Sequence, residues 1–262
     1  MTTTESNPIL AITRQGNVAI VEICRPPHNF FDVEMIRALA DAFEALDNDV
    51  ECRSIVLCAQ GTAFCAGANF GKREARRDTD SPRRVNPIYD EALRIFACAK
   101  PVVAAIHGPA VGGGLGLALV ADFRVACREA RFSANFNRLG FHPGFGLSVT
   151  LPRLVGVQKA ALLFYTGRRV GGEEAVAIGL ADMLVEREVI REESIKLANE
   201  IAISAPLAVV STRATMRQGL LEAIRAAVAH ESVEQNRHFR TEDFKEGISA
   251  MAERRDPAFK GK

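Results

Sequence analysis

Apolar residues fall into short runs and helical spacings that predict alternating strands and helices. Segments 9–14 and 17–23 alternate or run apolar and are separated by Gly16–Asn17, a dipeptide typical of a two-residue hairpin. Asp32 stands directly before 33-VEMIRALADAFEAL-46, in which apolar residues recur at helical spacing, and aspartate is a favoured helix N-cap. The sequence therefore predicts a β-hairpin followed by a helix.

The centre of the chain continues this alternation. Apolar strands are predicted at 54–59, 101–106 and 123–127, with helices near 87–99 and at 113–121 between them. Buried strands that alternate with helices are typical of an α/β fold. Beyond residue 157 the pattern becomes helical, and the predicted helices are 157–166, 172–179, 187–204, 206–218 and 220–239. We therefore expect an α/β core followed by a helical C-terminal region.

The amino-acid composition limits the kinds of binding partner that can be expected for this chain. The 262 residues are 48% hydrophobic, and 33 basic against 32 acidic residues leave a formal charge of +1, which gives no reason to expect nucleic acid as a partner. The six cysteines form no C-x-x-C pair, so neither a metal site nor a disulfide framework is predicted. Without a signal-peptide pattern or an apolar run long enough for a membrane span, we expect a cytoplasmic protein and no membrane partner.

The charge-rich segment 72–84 is interpreted as a solvated loop or as a contact to ligand phosphates.

The stretch 107-HGPAVGGGLGLALVAD-122 places three glycines at the start of a predicted helix. The first N–H groups of a helix are unpaired and carry partial positive charge, so they can receive a carbonyl oxygen that becomes negative. Glycine at 112–114 would let such a carbonyl approach the Gly113 N–H, although close packing of the helix on a strand would also favour glycine there.

A second turn of small residues, 61-GTAFCAGANF-70, also follows a predicted strand and contains Ala66, Gly67 and Ala68. Two such turns can direct two N–H donors at one oxygen, and each donor of this kind is worth about 3–4 kcal/mol of transition-state stabilisation. The two turns together favour a reaction that passes through an enolate or a tetrahedral oxyanion.

Several segments, in order along nearly the whole chain, resemble the crotonase or enoyl-CoA hydratase/isomerase superfamily. They are 26-PPHNFF-31, 64-FCAGAN-69, 101-PVVAAIHGPAVGGG-114, 140-GFHPGFG-146 with 151-LPRLVG-156, 166-TGRRV-170 with 179-GLADMLV-185, and 241-TEDFKEGISAMAERRDPAFKGK-262. The resemblance implies a spiral of ββα units, with an α/β core over 1–200 and a C-terminal helical trimerisation region over 201–262. It also implies assembly as a homotrimer or a dimer of trimers.

The same resemblance implies that the substrate is an acyl group carried as a coenzyme A thioester, with no permanently bound cofactor and no metal. The thioester oxygen would lie between the N–H groups of Ala66 and Gly113. The other substrate-binding positions that it implies are Gly67, Ala68, Asn69, Phe136, Phe259 and Lys260, of which the last two would reach the nucleotide of a neighbouring subunit.

The chain departs from the hydratases of this family, which use two glutamates to add water across a double bond. The matching positions here are Gly116 and Phe136. Family isomerases and dehalogenases place a carboxylate in the following loop, where this chain has Gly144 and Phe145. Because general acid–base groups contribute about 10²–10⁴ to rate, a reaction other than hydration is expected.

His142 is the first candidate for a replacement base, because it lies in the loop 140–146 and imidazole titrates near neutral pH. The alternative is a histidine that only satisfies loop carbonyls. Cys65 is a weaker candidate as nucleophile, since no histidine stands at an interpretable spacing to activate it. The nearby phenylalanines either line a bulky apolar acyl pocket or belong to the core, and they are Phe30, Phe31, Phe136, Phe141 and Phe145.

Two functions remain open at this point. One is an acyl-CoA lyase, isomerase or hydrolase that stabilises a thioester enolate. The other is a non-catalytic acyl-CoA-binding homologue that kept the two turns. RNA binding ranks third, because the charge balance does not favour it.

Overall fold

Strands and helices alternate along the first half of the chain, and helices dominate the second half. The computed structural model describes residues 9–69 and 86–262, so the charge-rich segment 72–84 lies outside the described residues. The strands are β1 (Leu10–Gln15), β2 (Val18–Ile23), β3 (Ser54–Ala59), β4 (Val102–Ile106), β5 (Pro109–Val111), β6 (Phe123–Ala126), β7 (Arg131–Ser133), β8 (Arg169–Gly171) and β9 (Met183–Leu184). The helices are α1 (Val33–Asn48), α2 (Pro87–Phe96), α3 (Gly113–Ala118), α4 (Leu147–Val155), α5 (Val157–Thr166), α6 (Gly172–Ala177), α7 (Ile190–Ala202), α8 (Pro206–Met216), α9 (Leu220–His238) and α10 (Glu242–Glu253). Short 3₁₀ helices lie at Asn135–Leu139 and Arg187–Val189.

The main sheet has six strands in the order β1-β2-β3-β4-β6-β9. Its first pair is the predicted antiparallel hairpin, in which Gln15 pairs with Val18, and the other neighbouring strands are parallel. Every residue of β4 is buried, as expected for a strand covered on both faces. The predicted α/β class is therefore confirmed.

A second, three-stranded sheet has the order β5-β7-β8. Phe132 of β7 pairs with Ala110 of β5 on one side and with Val170 of β8 on the other, and all three residues are buried in the core. The sheet matters for function because β5 leads directly into the glycine run that opens α3.

Helix α1 begins where the sequence predicts. The Asp32 carboxylate accepts a hydrogen bond from the Met35 N–H at 3.0 Å, so Asp32 is the N-cap. Apolar residues at helical spacing then form the buried face of α1, and they are Met35, Ile36, Leu39, Ala40, Phe43 and Leu46.

The C-terminal helices pack on different parts of the core. Helix α7 lies on the main sheet, α9 contacts α2 and α4, and α10 contacts the 3₁₀ helix at Asn135–Leu139. Helix α8 has no buried side chain, and Leu207 is 85% exposed. No single helix of the described residues is both long and apolar enough to cross a membrane. The proposed division of the chain at residue 200 stays a prediction.

The sequence pattern missed several short or irregular elements. Strands β5, β7 and β8 have three residues each, too few for a period of two to be visible. Helix α4 contains Pro152, which lowers its helical signal, and α10 was not predicted as a helix.

A buried ionic cluster joins the end of α3 to β6 and to the strand before α7. Arg124 is 1% exposed, and its guanidinium donates to the Asp182 carboxylate at 2.8 Å and to the carbonyls of Leu180 (2.9 Å) and Ala121 (2.8 Å). Removing the Arg124 side chain leaves the carbonyls of Leu180 and Ala121 without their donor, whereas Asp182 keeps the hydrogen bond from the backbone N–H of residue 124 at 2.7 Å.

We expect Arg124→Met to lower the free energy of unfolding by about 1–3 kcal/mol, as is typical when buried acceptors lose their donor, because Asp182 is one-third exposed and keeps its backbone donor. Arg128→Met is the control, because Arg128 and Glu173 form an exposed pair, and such pairs contribute about 0–1 kcal/mol. Denaturant unfolding of the two variants tests this. Equal losses would contradict the role given to Arg124.

Candidate active site

The segment before α1 fixes the turn at residues 61–69 from one side. The carbonyl of Pro27 accepts hydrogen bonds from the N–H groups of Thr62 (2.9 Å) and Ala63 (3.2 Å). The buried Asn29 side chain donates to the Ala63 carbonyl at 2.7 Å. Asn29 has a φ of 50°, a left-handed conformation that asparagine tolerates better than most residues. This segment therefore holds the first half of the turn through the Pro27 carbonyl and the Asn29 side chain.

Strand β5 fixes the same turn from the other side. The Cys65 N–H donates to the Pro109 carbonyl at 3.0 Å, and the Cys65 carbonyl accepts from the Val111 N–H at 3.0 Å. Since β5 continues into the glycines at 112–114, these two hydrogen bonds also set the separation of the two predicted turns.

Glycines allow the two turns to touch. A Cβ added at Gly67 would lie 2.8 Å from the Val111 carbonyl oxygen and 3.9 Å from the Gly113 nitrogen. A Cβ added at Gly114 would come closer than 3.0 Å to the Cys65 carbonyl oxygen. A side chain at either position would therefore force the turns apart. The glycine run thus serves close packing and also brings the Gly113 N–H beside the second turn.

The structure corrects the expected pair of donors. The Ala66 N–H donates to the His28 carbonyl at 2.9 Å, so it is already engaged. In the part of the chain that the structure describes, the N–H groups of Ala68 and Gly113 have no acceptor. The expectation for Ala66 is therefore replaced by Ala68, two residues further along the same turn.

The aromatic ring of Phe31 connects the two turns. The Phe31 N–H donates to the Gly67 carbonyl at 3.0 Å, which places its backbone beside the first turn. The end of its ring would be closer than 3.0 Å to a Cβ on Gly113. Phe31 is buried, so its ring forms a wall of the space next to the Gly113 α-carbon.

Phe145 occupies the volume beside Gly116. A Cβ added at Gly116 would lie 2.7 Å from the Phe145 Cβ and 2.8 Å from its Cδ1. Phe145 is fully buried and has a left-handed φ of 64°. The centres of the Phe145 and Phe31 rings are 5.7 Å apart. Two aromatic rings therefore cover the N-terminal turn of α3.

The sequence of this chain matches a known protein family over nearly its whole length. Residues 13–262 match the profile of the family described as enoyl-CoA hydratase/isomerase. The chain belongs to the enoyl-CoA hydratase/isomerase family. The match covers nearly the whole chain, so the resemblance seen in the sequence is confirmed.

Individual members of the enoyl-CoA hydratase/isomerase family are similar over almost their full length. The chain is 32% identical to the short-chain-enoyl-CoA hydratase of Clostridium acetobutylicum, across 93% of this chain and 94% of that protein. It is also 32% identical to the crotonyl-CoA hydratase of Syntrophomonas wolfei, across 95% and 97% of the two chains. The crystal structure of an enoyl-CoA hydratase/isomerase from Pseudoalteromonas atlantica T6c matches with a TM-score of 0.85 at 30% identity, across 96% of this chain and all of that one. The fold is therefore that of the crotonase superfamily.

Phe136 lies beside the glycine turn of this enoyl-CoA hydratase/isomerase family member. A Cβ on Gly112 would be 3.8 Å from the tip of the Phe136 ring. Phe136 is 5% exposed and packs edge-on against Phe141 at 5.4 Å. Phe136 and Gly116 thus both border the turn, and neither can transfer a proton. Substrate contact by Phe136 stays a prediction.

The contacts of His142 point to α9. Its Nδ1 lies 2.8 Å from the Pro143 carbonyl, and its ring is 5.9 Å from the His230 ring and 6.5 Å from the His238 ring. Within the described residues, the ring contacts of His142 do not include Phe31 or Phe145. The hypothesis that His142 is the base gains no support from these contacts, which fit the alternative of a loop histidine.

Cys65 is a packed thiol. It is fully buried, and burial raises the pKa of its thiol to about 12, so the nucleophilic thiolate is not populated near neutral pH. Its backbone, rather than its sulfur, has the structural role described above.

The C-terminal tail folds back on the start of α10. The N–H of Lys260 donates to Asp243 at 2.7 Å, and the Asp243 N–H donates to the Lys262 carbonyl at 3.1 Å. Phe259 is 40% exposed. Contact of Phe259 and Lys260 with a neighbouring subunit stays a prediction, as does substrate binding by the half-buried Asn69.

Glu231 is a fully buried residue of α9 that no sequence motif identifies. Its carboxylate accepts from the Gly146 N–H at 2.9 Å and from the Ser148 N–H and hydroxyl at 3.1 and 2.6 Å. Burial raises the pKa of Glu231. Glu231 follows Ile224 and Val228 along the buried stripe of α9, and an acid on an apolar stripe is the signal that could have identified it.

His107, directly after β4, supports the first turn through its ring. Its Nε2 lies 3.2 Å from the Gly61 carbonyl, and burial lowers the pKa of the imidazole below 6.5. Protonation is therefore harder in the folded protein than in the unfolded chain, where the pKa is ordinary. The resulting stability is complete above the unfolded pKa and is lost as the pH falls toward the folded pKa.

We expect the free energy of unfolding to fall as the pH drops from about 7 through the ordinary histidine pKa of about 6.5, with a slope of at most about 1.4 kcal/mol per pH unit from His107. His107→Gln keeps an amide donor and removes the titration, so its stability should depend less on pH. Denaturant unfolding across this range measures the slope, and an NMR titration of the His107 ring provides an independent check. A slope unchanged in the variant would contradict the assignment.

Proposed function

We propose that the protein is an enzyme that acts on acyl-CoA thioesters and stabilises a thioester enolate with the N–H groups of Ala68 and Gly113. The observation that carries this proposal is that both N–H groups lack an acceptor in the described residues, although they lie on turns that touch each other. Preorganised donors of this kind stabilise negative charge that develops on a carbonyl oxygen. The family of the chain supports a thioester as the source of that carbonyl.

The reaction proposed is one other than hydration. Hydration across a double bond needs acid–base groups, and the two positions that match the family glutamates are Gly116 and Phe136. The ring of Phe145 also covers Gly116. An enolate can form without a base when a carboxylate on the α-carbon leaves as CO₂, because the electron pair of the broken carbon–carbon bond passes to the thioester carbonyl and solvent then supplies a proton to the α-carbon. Decarboxylation therefore fits this site better than hydration.

The second candidate is a non-catalytic acyl-CoA-binding homologue. The observation in its favour is the packing of Phe31 and Phe145 against Gly113 and Gly116, since both rings occupy space that a substrate would use. A homotrimer or dimer of trimers in the cytoplasm is proposed for either candidate. The exposed apolar side chains of α8 support such an assembly.

Turnover in D₂O separates the two candidates. Enoyl-, oxoacyl- and carboxyacyl-CoA esters are incubated with the protein, and mass spectrometry detects deuterium at the α-carbon. The enzyme should introduce deuterium into at least one ester, because solvent protonates the enolate. Binding without deuterium uptake across the panel would favour the non-catalytic homologue, and absence of binding would exclude both.

The donor assignment needs a variant that removes the Gly113 N–H without a steric clash. Because any side chain at position 113 meets Phe31, the test compares Phe31→Ala/Gly113→Pro with Phe31→Ala/Gly113→Ala. Both have a side chain at position 113, and only the proline variant lacks the N–H. We expect its turnover to be about 10²–10³ lower. Equal rates in the two double variants would show that Gly113 is not a donor.

Restoring the two glutamates should produce hydratase activity only when space is made for them. We expect Gly116→Glu/Phe136→Glu to be inactive, because the Phe145 ring lies where the new side chain at position 116 begins. Adding Phe145→Gly, which removes both the ring and the Cβ that lies 2.7 Å from the new side chain, should raise crotonyl-CoA hydration by about 10²–10⁴. Loss of crotonyl-CoA absorbance measures the rate. Equal hydration with and without Phe145→Gly would contradict the steric argument.

A further inference from the structure

A buried polar pair lies at the edge of the aromatic wall and has no part in the enolate chemistry. Tyr89 of α2 is 6% exposed and Gln235 of α9 is 3% exposed. The Tyr89 hydroxyl donates to the Gln235 side-chain carbonyl at 2.8 Å. The side chains thus connect two helices that are distant in sequence, next to the ring of Phe145.

Gly144 makes room for this pair. A Cβ added at Gly144 would come closer than 3.0 Å to the Tyr89 hydroxyl and to the Gln235 amide nitrogen. Both polar groups therefore lie directly against the backbone of the loop that carries Phe145. The φ of Gly144 is not in the left-handed region, so the absence of a side chain at this position is explained by space and not by backbone conformation.

The pair is one aromatic ring away from the proposed enolate site. The Tyr89 and Phe145 ring centres are 6.3 Å apart, and Phe145 in turn covers Gly116 and approaches Gly113. An acyl chain attached to a thioester at Gly113 would extend along Phe145, and its substituents would come toward Tyr89 and Gln235.

Gln235 retains hydrogen-bonding capacity. One N–H of its amide donates to the His142 carbonyl at 3.0 Å, and within the described residues the second N–H has no acceptor. A buried amide donor without an acceptor is unfavourable in an apolar environment. An oxygen atom of a ligand would supply the missing acceptor.

We infer that the second amide N–H of Gln235, whose side chain is held in place by Tyr89, binds an oxygen atom on the acyl chain, so the substrate class is oxo- or hydroxyacyl-CoA rather than an unsubstituted acyl-CoA. This inference rests on the proposed acyl-CoA function. A pair that served only to join α2 to α9 would stabilise the fold without distinguishing between acyl groups.

The test compares the binding of hexanoyl-CoA with that of its 3-oxo and 5-oxo derivatives by calorimetry. We expect at least one oxo derivative to bind about tenfold or more tightly than hexanoyl-CoA, because only the oxo derivative provides an acceptor. In Tyr89→Phe and Gln235→Met, this ratio should fall to about one while hexanoyl-CoA binding changes less than about twofold.

Tyr165→Phe is the matched control, because the chain has only two tyrosines and Tyr165 is an exposed residue of α5. This variant should keep the wild-type ratio. It also assigns the two ¹⁹F resonances of wild-type protein labelled with 3-fluorotyrosine. The Tyr89 resonance should shift with the oxo derivative and stay in place with hexanoyl-CoA, which tests the inference even if Tyr89→Phe fails to fold.

Each outcome bears on one of the two proposals. Equal binding of hexanoyl-CoA and both oxo derivatives would overturn the inference and leave the acyl-CoA function intact. A ratio retained in Tyr89→Phe and Gln235→Met would also overturn it. If no thioester binds the wild-type protein, the acyl-CoA function fails and the inference fails with it.

Discussion

The candidate site depends on the hydrogen bonds that hold the turn at residues 61–69 between two other backbone segments. Pro27 and Asn29 bind it from one side, and Pro109 and Val111 bind it from the other. Because these interactions involve the main chain, they tolerate change in most side chains around them. They engage the N–H groups of Thr62, Ala63, Cys65 and Ala66, and that of Ala68 has no acceptor among the described residues. The remaining donors are therefore a consequence of how the backbone pairs.

The glycines and the phenylalanines around α3 are complementary features. Gly113 and Gly116 have no side chain, and the rings of Phe31 and Phe145 occupy the space where a side chain at these positions would lie. In a site with carboxylates at these positions, the same volume would hold charged groups and water. Here it is apolar, and an apolar environment strengthens hydrogen bonds to developing negative charge and excludes water. A site of this composition suits chemistry that needs charge stabilisation more than proton transfer.

The sequence predicted the α/β class, the N-terminal hairpin, the Asp32 cap and the two glycine-flanked turns, because each has a local signal. It could not predict which N–H groups remain unpaired. That choice depends on the His28 carbonyl, which reaches Ala66 only after the chain folds. The orientation of the His142 ring could not be predicted either, because the ring packs against His230 of α9, which is distant in sequence. The three-residue strands could not be predicted because they are too short to show the alternation of apolar and polar residues that identifies a strand.

Helix α9 supports the loop that carries Phe145 at two separate points. Glu231 holds the backbone directly after Phe145, and Gln235 contacts the residue directly before it. Phe145 has a strained backbone conformation, which costs about 1–3 kcal/mol and persists only when its surroundings hold it. The backbone position of Phe145, and with it the shape of the candidate site, is thus set by contacts with a helix near the end of the chain. Evolution could retune substrate preference by shifting α9, leaving the glycine turns unchanged.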